Sequence, residues 1–146
     1  MLTLPSLEVL VVLQGLKNLL KTKLVISPIV PMQIQNGVFR YSKETGSAAE
    51  EVASALSESR VVSAFHNLPA ASLEEQDQSL DFDVLVACEN REDYYQASRL
   101  IGSIEGLRPL YAGSLAMSRQ VEALTPLLLN VGRMNGLRRL SFKFVS

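Results

Sequence analysis

The stretch Arg60-Val-Val-Ser-Ala-Phe-His-Asn-Leu-Pro-Ala70 decides the fold class. It begins as a short apolar run with two β-branched residues, Val61 and Val62, and ends in a polar loop that contains Pro69. An apolar run of this length predicts a buried strand over residues 60–65. In α/β proteins, ligands bind at the loops that follow such strands. The loop that contains His66, the single histidine of the chain, is therefore a candidate place for a ligand.

Strands and helices alternate on both sides of this stretch. The elements predicted before it are a helix over residues 6–20, a strand over 24–29, turns over 32–46, and a helix over 47–57 that begins with the capping box Ser47–Glu50. The elements predicted after it are a polar surface segment over 71–80, strands over 83–88, 108–112 and 140–145, and helices over 92–104 and 115–134. This alternation predicts an α/β fold with a mainly parallel sheet.

Composition narrows the classes of partner. Fourteen basic and fifteen acidic side chains give a net charge of −1, so no basic field for nucleic acid or an anionic membrane is expected. The apolar start of the chain is interrupted by Glu8, Gln14 and Lys17, which favours a helix of a cytoplasmic protein over a membrane span. The single cysteine, Cys88, excludes an internal disulfide and a cysteine-based zinc site, and it fits a reducing cytosol.

Familiar catalytic motifs are absent from the sequence. No Gly-x-Gly-x-x-Gly turn, Walker loop or Ser-His-Asp set is evident. From the residues alone, His66 is either a ligand-facing side chain or a loop histidine that bonds its neighbours, and Cys88 is a small buried hydrophobe. The leucine-rich stretch 124–131 indicates core or a dimer contact.

Three blocks of sequence carry a family resemblance. They are Lys23-Leu-Val-Ile-Ser-Pro-Ile-Val-Pro-Met32, the Val61–Ala70 stretch, and Gly106-Leu-Arg-Pro-Leu-Tyr-Ala-Gly-Ser-Leu115 with Val121-Glu-Ala-Leu-Thr-Pro-Leu-Leu-Leu-Asn130. In order and spacing they resemble the NADPH-dependent reductases of the deazaflavin coenzyme F-420. The resemblance implies the second half of a Rossmann-like parallel sheet over residues 1–70. It also implies a small carboxyl-terminal α/β domain over 71–146, on the deazaflavin side.

The resemblance also implies an activity, which is hydride transfer between reduced coenzyme F-420 and NADP. Positions that match cofactor-binding residues of the family are Ser6, Leu10, Pro31, Met32, His66, Pro69, Ala70 and Leu140. Leu140 matches a deazaflavin contact, His66 lies in the block that faces the paired rings, and the others match the NADP side. Transfer between two stacked rings held about 3–3.5 Å apart needs exclusion of water and no acid or base at the reacting carbon. No catalytic side chain and no metal are therefore implied.

The departures from the family are as informative as the matches. Family members open with a Rossmann half that carries a glycine-rich turn, and this chain begins where the fourth strand of that half would end. We therefore expect a truncated or split form that is inactive alone, binds NADPH weakly, and works as a homodimer or with a missing amino-terminal half. The sheet should then have an exposed edge near residues 24–29 or 61–65, with helix 115–134 in a subunit contact. A second hypothesis stays open, namely a non-enzymatic assembly or regulatory domain derived from the family.

Overall fold

The computed structural model describes residues 6–69, 72 and 80–145. Its helices are α1 (Ser6–Leu20), α2 (Ala48–Ala55), α3 (Arg91–Gly102) and α4 (Ser118–Asn135), with a short 3₁₀ turn at Leu115–Met117. Its strands are β1 (Leu24–Ser27), β2 (Met32–Gln35), β3 (Val38–Tyr41), β4 (Arg60–Ser63), β5 (Phe82–Cys88) and β6 (Leu107–Gly113). No helix within these described ranges has the length and apolar character that a membrane span requires.

Four of the strands form one mixed sheet in the order β1-β4-β5-β6. The β1–β4 and β5–β6 pairings are parallel, which confirms the predicted α/β class with a parallel-dominated sheet. The β4–β5 pairing is antiparallel and joins only Val62 to Cys88 and Ser63 to Ala87. Strand β1 lies at the edge of the sheet that the described strands form, so of the two predicted edge strands β1 is the one at an edge, whereas β4 is central.

Adjacent residues of β4 point into two different cores, because side chains alternate across a strand. Val61 packs in a cluster with Val9 and Leu13 of α1 and with α2, whereas Val62 packs with Val84 and the residues of α3. Each fully buried aliphatic side chain contributes about 1.5–3 kcal/mol. The sheet therefore has helices on both faces, and the predicted division of the chain near residue 70 stays a prediction.

Residues 32–41 form a β-hairpin that the sequence analysis predicted only as turns. Asn36 and Gly37 have φ angles of 53° and 74°, the left-handed pair that a two-residue type I′ hairpin turn requires. All four residues of β2 are exposed, so the strand has no buried apolar face that would give the sequence an alternating pattern. The predicted Ser47 cap is confirmed, since Ser47 Oγ accepts a hydrogen bond from the Glu50 N–H at 3.1 Å, and the Glu50 carboxylate reaches back to accept from the Ser47 hydroxyl at 2.8 Å.

The predicted final strand over residues 140–145 is wrong. These residues form no strand, and one backbone hydrogen bond joins them to the sheet, from the Asp83 N–H to the Phe142 carbonyl at 3.0 Å. The Phe144 N–H donates to the Asp83 carboxylate instead of to a neighbouring strand, at 2.6 Å. The Asp83 side chain thus accepts the Phe144 amide that would otherwise pair with a neighbouring strand. The apolar alternation of the sequence is nevertheless typical of a strand.

Candidate functional site

A pocket of about 170 Å³ opens where β4 ends. The loop over residues 66–69 forms its floor, one side of α4 forms a wall, and the segment after α4 forms the opposite wall. The lining residues are His66, Asn67, Leu68, Pro69, Thr125, Leu128, Leu129, Gly132, Arg133, Leu137, Arg139 and Leu140. No aspartate or glutamate is among these lining residues, and apolar side chains predominate. The pocket therefore suits a flat organic group, neutral or anionic because two arginines line it, better than a metal ion.

His66 is held from both sides by the protein. Phe65, just before it, has a left-handed φ of 72°, a conformation that costs a non-glycine residue about 1–2 kcal/mol. The Thr125 hydroxyl donates to the His66 carbonyl at 2.7 Å, and Ser63 Oγ lies 3.5 Å from the ring Nε2. The strained turn and the bond from α4 together fix where the imidazole sits.

The imidazole is neutral at physiological pH. Only 4% of the residue is exposed, and this burial lowers the pKa of His66 from 6.5 to about 4, while the nearby Ser27 backbone opposes part of the shift. Its Nδ1 atom has no hydrogen-bond partner in the described part of the chain. His66 can therefore orient a bound group through a neutral ring nitrogen, and it is a poor proton donor.

This pKa predicts how stability depends on pH. The unfolded chain binds a proton at His66 near pH 6.5, whereas the folded chain binds it only near pH 4. The contribution of His66 to the free energy of unfolding therefore falls as the pH drops through that window, and it does not change further below it. The loss attributable to His66 is about 3 kcal/mol. Urea unfolding at several pH values should show a shallower pH slope for His66→Gln than for the wild type. Equal slopes for the two proteins would contradict the buried neutral imidazole.

Asn67 connects the floor of the pocket to the opposite wall. Its Nδ2 donates to the Asp83 carbonyl at 2.7 Å and to Ser141 Oγ at 2.8 Å. Its Oδ1 is buried and has no partner among the residues described. A buried acceptor without a donor costs free energy unless a water or a ligand supplies one. Asn67 thus has, like His66, a buried polar atom without a described partner at the floor of the pocket.

Helix α4 brings the β-hairpin to the rim of the pocket. Arg133 Nη1 donates to the Gly37 carbonyl at 2.6 Å, and the Asn130 side chain makes two bonds to the backbone of Phe39, at 2.8 and 2.9 Å. The side-chain amide of Asn130 therefore accepts from the N–H and donates to the carbonyl of one β3 residue, as the backbone of a neighbouring strand would. Arg139, on the opposite wall, has a left-handed φ of 57°.

The structure brings some predicted site residues together and separates others. His66, Pro69 and Leu140 line the same pocket. Leu10 instead lines a shallow groove between α1 and α2. Ala70 and the Ser6 side chain lie outside the described residues, so their predicted roles stay predictions, as do the binding roles of the other positions.

Pro31 and Met32 stand apart from the His66 pocket. Pro31 is buried, its carbonyl accepts the Ser42 N–H at 3.0 Å, and Met32 is exposed at the start of β2.

Sequence reasoning missed Asn67 and Thr125. Asn67 could have been found because it adjoins His66, whereas Thr125 enters the site through a contact between residues 59 positions apart. Within the described ranges, no group of three His, Cys, Asp or Glu residues could hold a metal ion.

Solved structures share this fold. A protein from Arthrobacter sp. FB24, described as a candidate F420-dependent NADP reductase, superposes with a TM-score of 0.86 at 18% identity, over 99% of this chain and 68% of that one. A hypothetical protein from Sinorhizobium meliloti gives a TM-score of 0.69 at 17% identity, over 99% of this chain and 65% of that one. At these identities the likeness shows the fold alone. No family model matches the chain.

Curated relatives supply closer matches, and each is an F420-dependent NADP reductase. The Methanothermobacter thermautotrophicus relative is 33% identical over 99% of this chain and 65% of its own length. The Methanocaldococcus jannaschii relative is 39% identical over 89% of this chain and 60% of its own length. The Methanothermobacter marburgensis relative is 32% identical over 99% and 67%. The chain thus spans 60 to 67% of the length of the curated relatives it matches, and it belongs to the F420-dependent NADP reductase family.

Proposed function

We propose that this chain builds the pocket in which a hydride passes between reduced coenzyme F-420 and NADP. The observation that carries the proposal is the apolar pocket at the end of β4, whose floor holds the neutral His66. The family supports it, because the relatives at 32 to 39% identity are named as reductases of NADP that depend on this coenzyme.

The residues of the pocket fit a deazaflavin and a nicotinamide. Leucine and proline side chains offer flat apolar contact, and His66 and Asn67 add two polar side chains to the lining. When bound, the reduced deazaflavin supplies the hydride that NADP accepts. We propose Pro69 and Ala70 on the nicotinamide side and Leu140 on the deazaflavin side, with Ser6, Leu10, Pro31 and Met32 toward the rest of NADP.

The contribution of the protein in this mechanism is to position rings and exclude water. Holding two reactants in a reactive geometry supplies much of the rate of such a step, and a drier site strengthens each polar contact. His66 hydrogen-bonds as a neutral ring, and no described carboxylate lines the pocket to compete for a proton. The hydride needs no side-chain acid or base, so the rate should depend on geometry.

Replacing His66 tests this role. His66→Ala should lower the rate of NADP reduction by reduced coenzyme F-420 by a factor of about ten to a few hundred, as expected when bound reactants are misplaced. His66→Gln keeps a neutral hydrogen-bonding group and should retain most of the rate. Steady-state kinetics in a protein that turns over would measure both. An unchanged rate for His66→Ala would show that His66 does not position the bound reactants.

We further propose that turnover requires polypeptide beyond this chain, equivalent to the glycine-rich half implied by the family resemblance. That half would bring a helix amino terminus and a close backbone turn to the pyrophosphate of NADP. Strand β1 supports the proposal, because its outer edge pairs with no other described strand and offers a place for the sheet to continue. The division into residues 1–70 and 71–146 and a cytoplasmic location belong to the same proposal.

A second candidate function, a non-enzymatic assembly domain, is favoured by helix α1. Val11 is 71% exposed and Leu19 is 72% exposed, on the same helix as the half-exposed Val12 and Leu16. Apolar patches of this kind mark interaction surfaces. The two candidates differ in outcome, because an assembly domain would bind its partner without transferring a hydride.

We expect the chain to self-associate through α4. Leu127 and Met134 on this helix are 55% and 73% exposed, although their residue types favour burial. Sedimentation at micromolar concentration should show a dimer or larger species, and the double variant Leu127→Glu with Met134→Glu should shift it to monomer. Leu100→Glu, on α3 and similarly exposed at 53%, is the control and should leave the assembly intact. A stable wild-type monomer would rule out this contact.

A further inference from the structure

Residues 137–144, termed the C-terminal strap, supply one wall of the pocket. Leu137, Arg139 and Leu140 line the pocket from this segment. At its first end the Leu137 N–H donates to the Gly132 carbonyl of α4 at 2.8 Å. Since the strap belongs to no helix or strand, its position depends on what holds its other end.

The other end of the strap is held by several contacts. Lys143 pairs with Asp81, and the Asp83 N–H donates to the Phe142 carbonyl at 3.0 Å. The one buried carboxylate among these anchors is that of Asp83. Its side chain is 0% exposed and accepts from Arg108 Nε at 2.7 Å, Arg108 Nη2 at 2.8 Å and the Phe144 N–H at 2.6 Å. Arg108 Nη2 also donates to the Phe144 carbonyl at 2.6 Å. Asp83 and Arg108 face each other across the β5–β6 pairing. The carboxylate therefore joins two strands of the sheet to the backbone of the strap.

The same bracket reaches the loop that carries His66. Asn67 Nδ2 bonds both the Asp83 carbonyl, at 2.7 Å, and Ser141 Oγ of the strap, at 2.8 Å. The floor of the pocket and its strap wall thus meet at Asp83. The left-handed Arg139 lies between the two anchored ends, and such a conformation persists where the flanking structure holds it.

We infer that Asp83 is a positioning residue, which fixes the strap against β5 and thereby sets the place of the Leu140 wall. Asp83 touches no bound reactant and lines no part of the pocket itself. The arginine hydrogen bonds hold the pKa of its carboxyl below the usual range, which keeps the anchor charged at neutral pH. The effect on the pocket follows from the contacts alone, whereas the effect on turnover rests on the proposed function.

Asp83→Asn should free the Phe144 end of the strap while leaving the sheet and the bonds of Ser141 and Phe142 in place. The amide cannot serve both Arg108 nitrogens and the Phe144 N–H, so hydrogen exchange at the Phe144 amide should become at least about tenfold faster by NMR. Asp93→Asn is the matched control. Asp93 is also buried and pairs with an arginine, Arg60, at 2.8 Å, yet none of its bonds reaches the strap. This control should leave exchange at Phe144 unchanged.

A second variant keeps the test decisive if Asp83→Asn does not fold. Arg108→Lys keeps the positive charge and removes the two-pronged contact, and it should also speed exchange at Phe144. Unchanged exchange in a folded Asp83→Asn or Arg108→Lys protein would overturn the inference. An equal acceleration in Asp93→Asn would overturn it too, because the effect would then be a general loss of stability.

The kinetic readout separates positioning from overall stability. In a protein that turns over, Asp83→Asn should raise KM for reduced coenzyme F-420 by about tenfold and change kcat by less than about threefold, and Asp93→Asn should change neither. Faster exchange with an unaltered KM would show that the strap does not set the pocket. A version completed by the missing amino-terminal half that still transfers no hydride would defeat the proposed function alone, since exchange at Phe144 in this chain still decides whether Asp83 holds the strap.

Discussion

Glu122→Ala is expected to lower the free energy of unfolding by about 4 kcal/mol, a large part of the stability of a domain of this size. Glu122 lies on α4, is 0% exposed, and accepts the Ala48 and Ala49 N–H groups at 3.0 Å each. It also accepts the Tyr41 hydroxyl at 2.5 Å. Removal of the carboxylate would leave three donors without this acceptor and would remove the bonds by which Glu122 joins α4 to α2 and to β3.

Two further variants isolate this effect. Glu92→Ala, on the exposed side of α3, removes a carboxylate that accepts from Gln96 Nε2 at 3.2 Å, and it should change the free energy of unfolding by less than about 0.5 kcal/mol. Glu122→Gln keeps one acceptor oxygen and should fall between the two. Urea unfolding monitored by circular dichroism measures all three. A Glu122→Ala protein as stable as Glu92→Ala would show that the carboxylate does not join these elements.

Gly106→Ala is expected to cost about 3 kcal/mol or more, through a clash and not through a lost contact. Gly106 has a φ of 82°, and a Cβ there would lie 1.6 Å from the Leu80 carbonyl oxygen. Its own carbonyl accepts the Phe82 N–H at 3.0 Å, so the strained turn lies directly against the start of β5. Movement of this turn would also disturb the position of Asp83, one residue further along.

The control for this substitution is Gly102→Ala. Gly102 is the last residue of α3, and a Cβ there would meet nothing within 4 Å. Alanine should therefore be neutral or stabilise by up to about 1 kcal/mol, through its higher helix propensity. Thermal unfolding would compare the two variants. Equal midpoints for them would contradict the close approach of Gly106 to Leu80.

Local patterns predicted the elements whose cause is local. The Val61-Val62 run gave β4, the Ser47–Glu50 box gave the start of α2, and Pro28 explains why β1 ends at Ser27. The hairpin over residues 32–41 was missed because its strands are short and largely solvated. The antiparallel β4–β5 pairing depends on contacts between distant residues, which periodicity along the chain does not contain.

The site was predictable to a similar degree. His66 and Pro69 follow a recognisable buried strand, and Leu140 came from the family resemblance. Asp83 was seen only as the first residue of a strand, because its function as an anchor depends on Phe144, 61 positions away. The alternating sequence of residues 140–145 is typical of a strand. In the structure the Asp83 carboxylate, instead of a neighbouring strand, accepts the Phe144 N–H.

The most direct test of the proposed function is the transfer of an isotopic label. Reduced coenzyme F-420 carrying deuterium on the ring carbon that donates the hydride would be mixed with NADP and two proteins. One is this chain alone. The other is this chain fused to the part of the Methanocaldococcus jannaschii relative that it does not match, about two fifths of that protein. We expect deuterated NADPH with the fusion and little or none with the chain alone. In the fusion, His66→Ala should lower the rate at which deuterated NADPH forms. A folded fusion that binds NADP and forms no deuterated NADPH would contradict the proposed function.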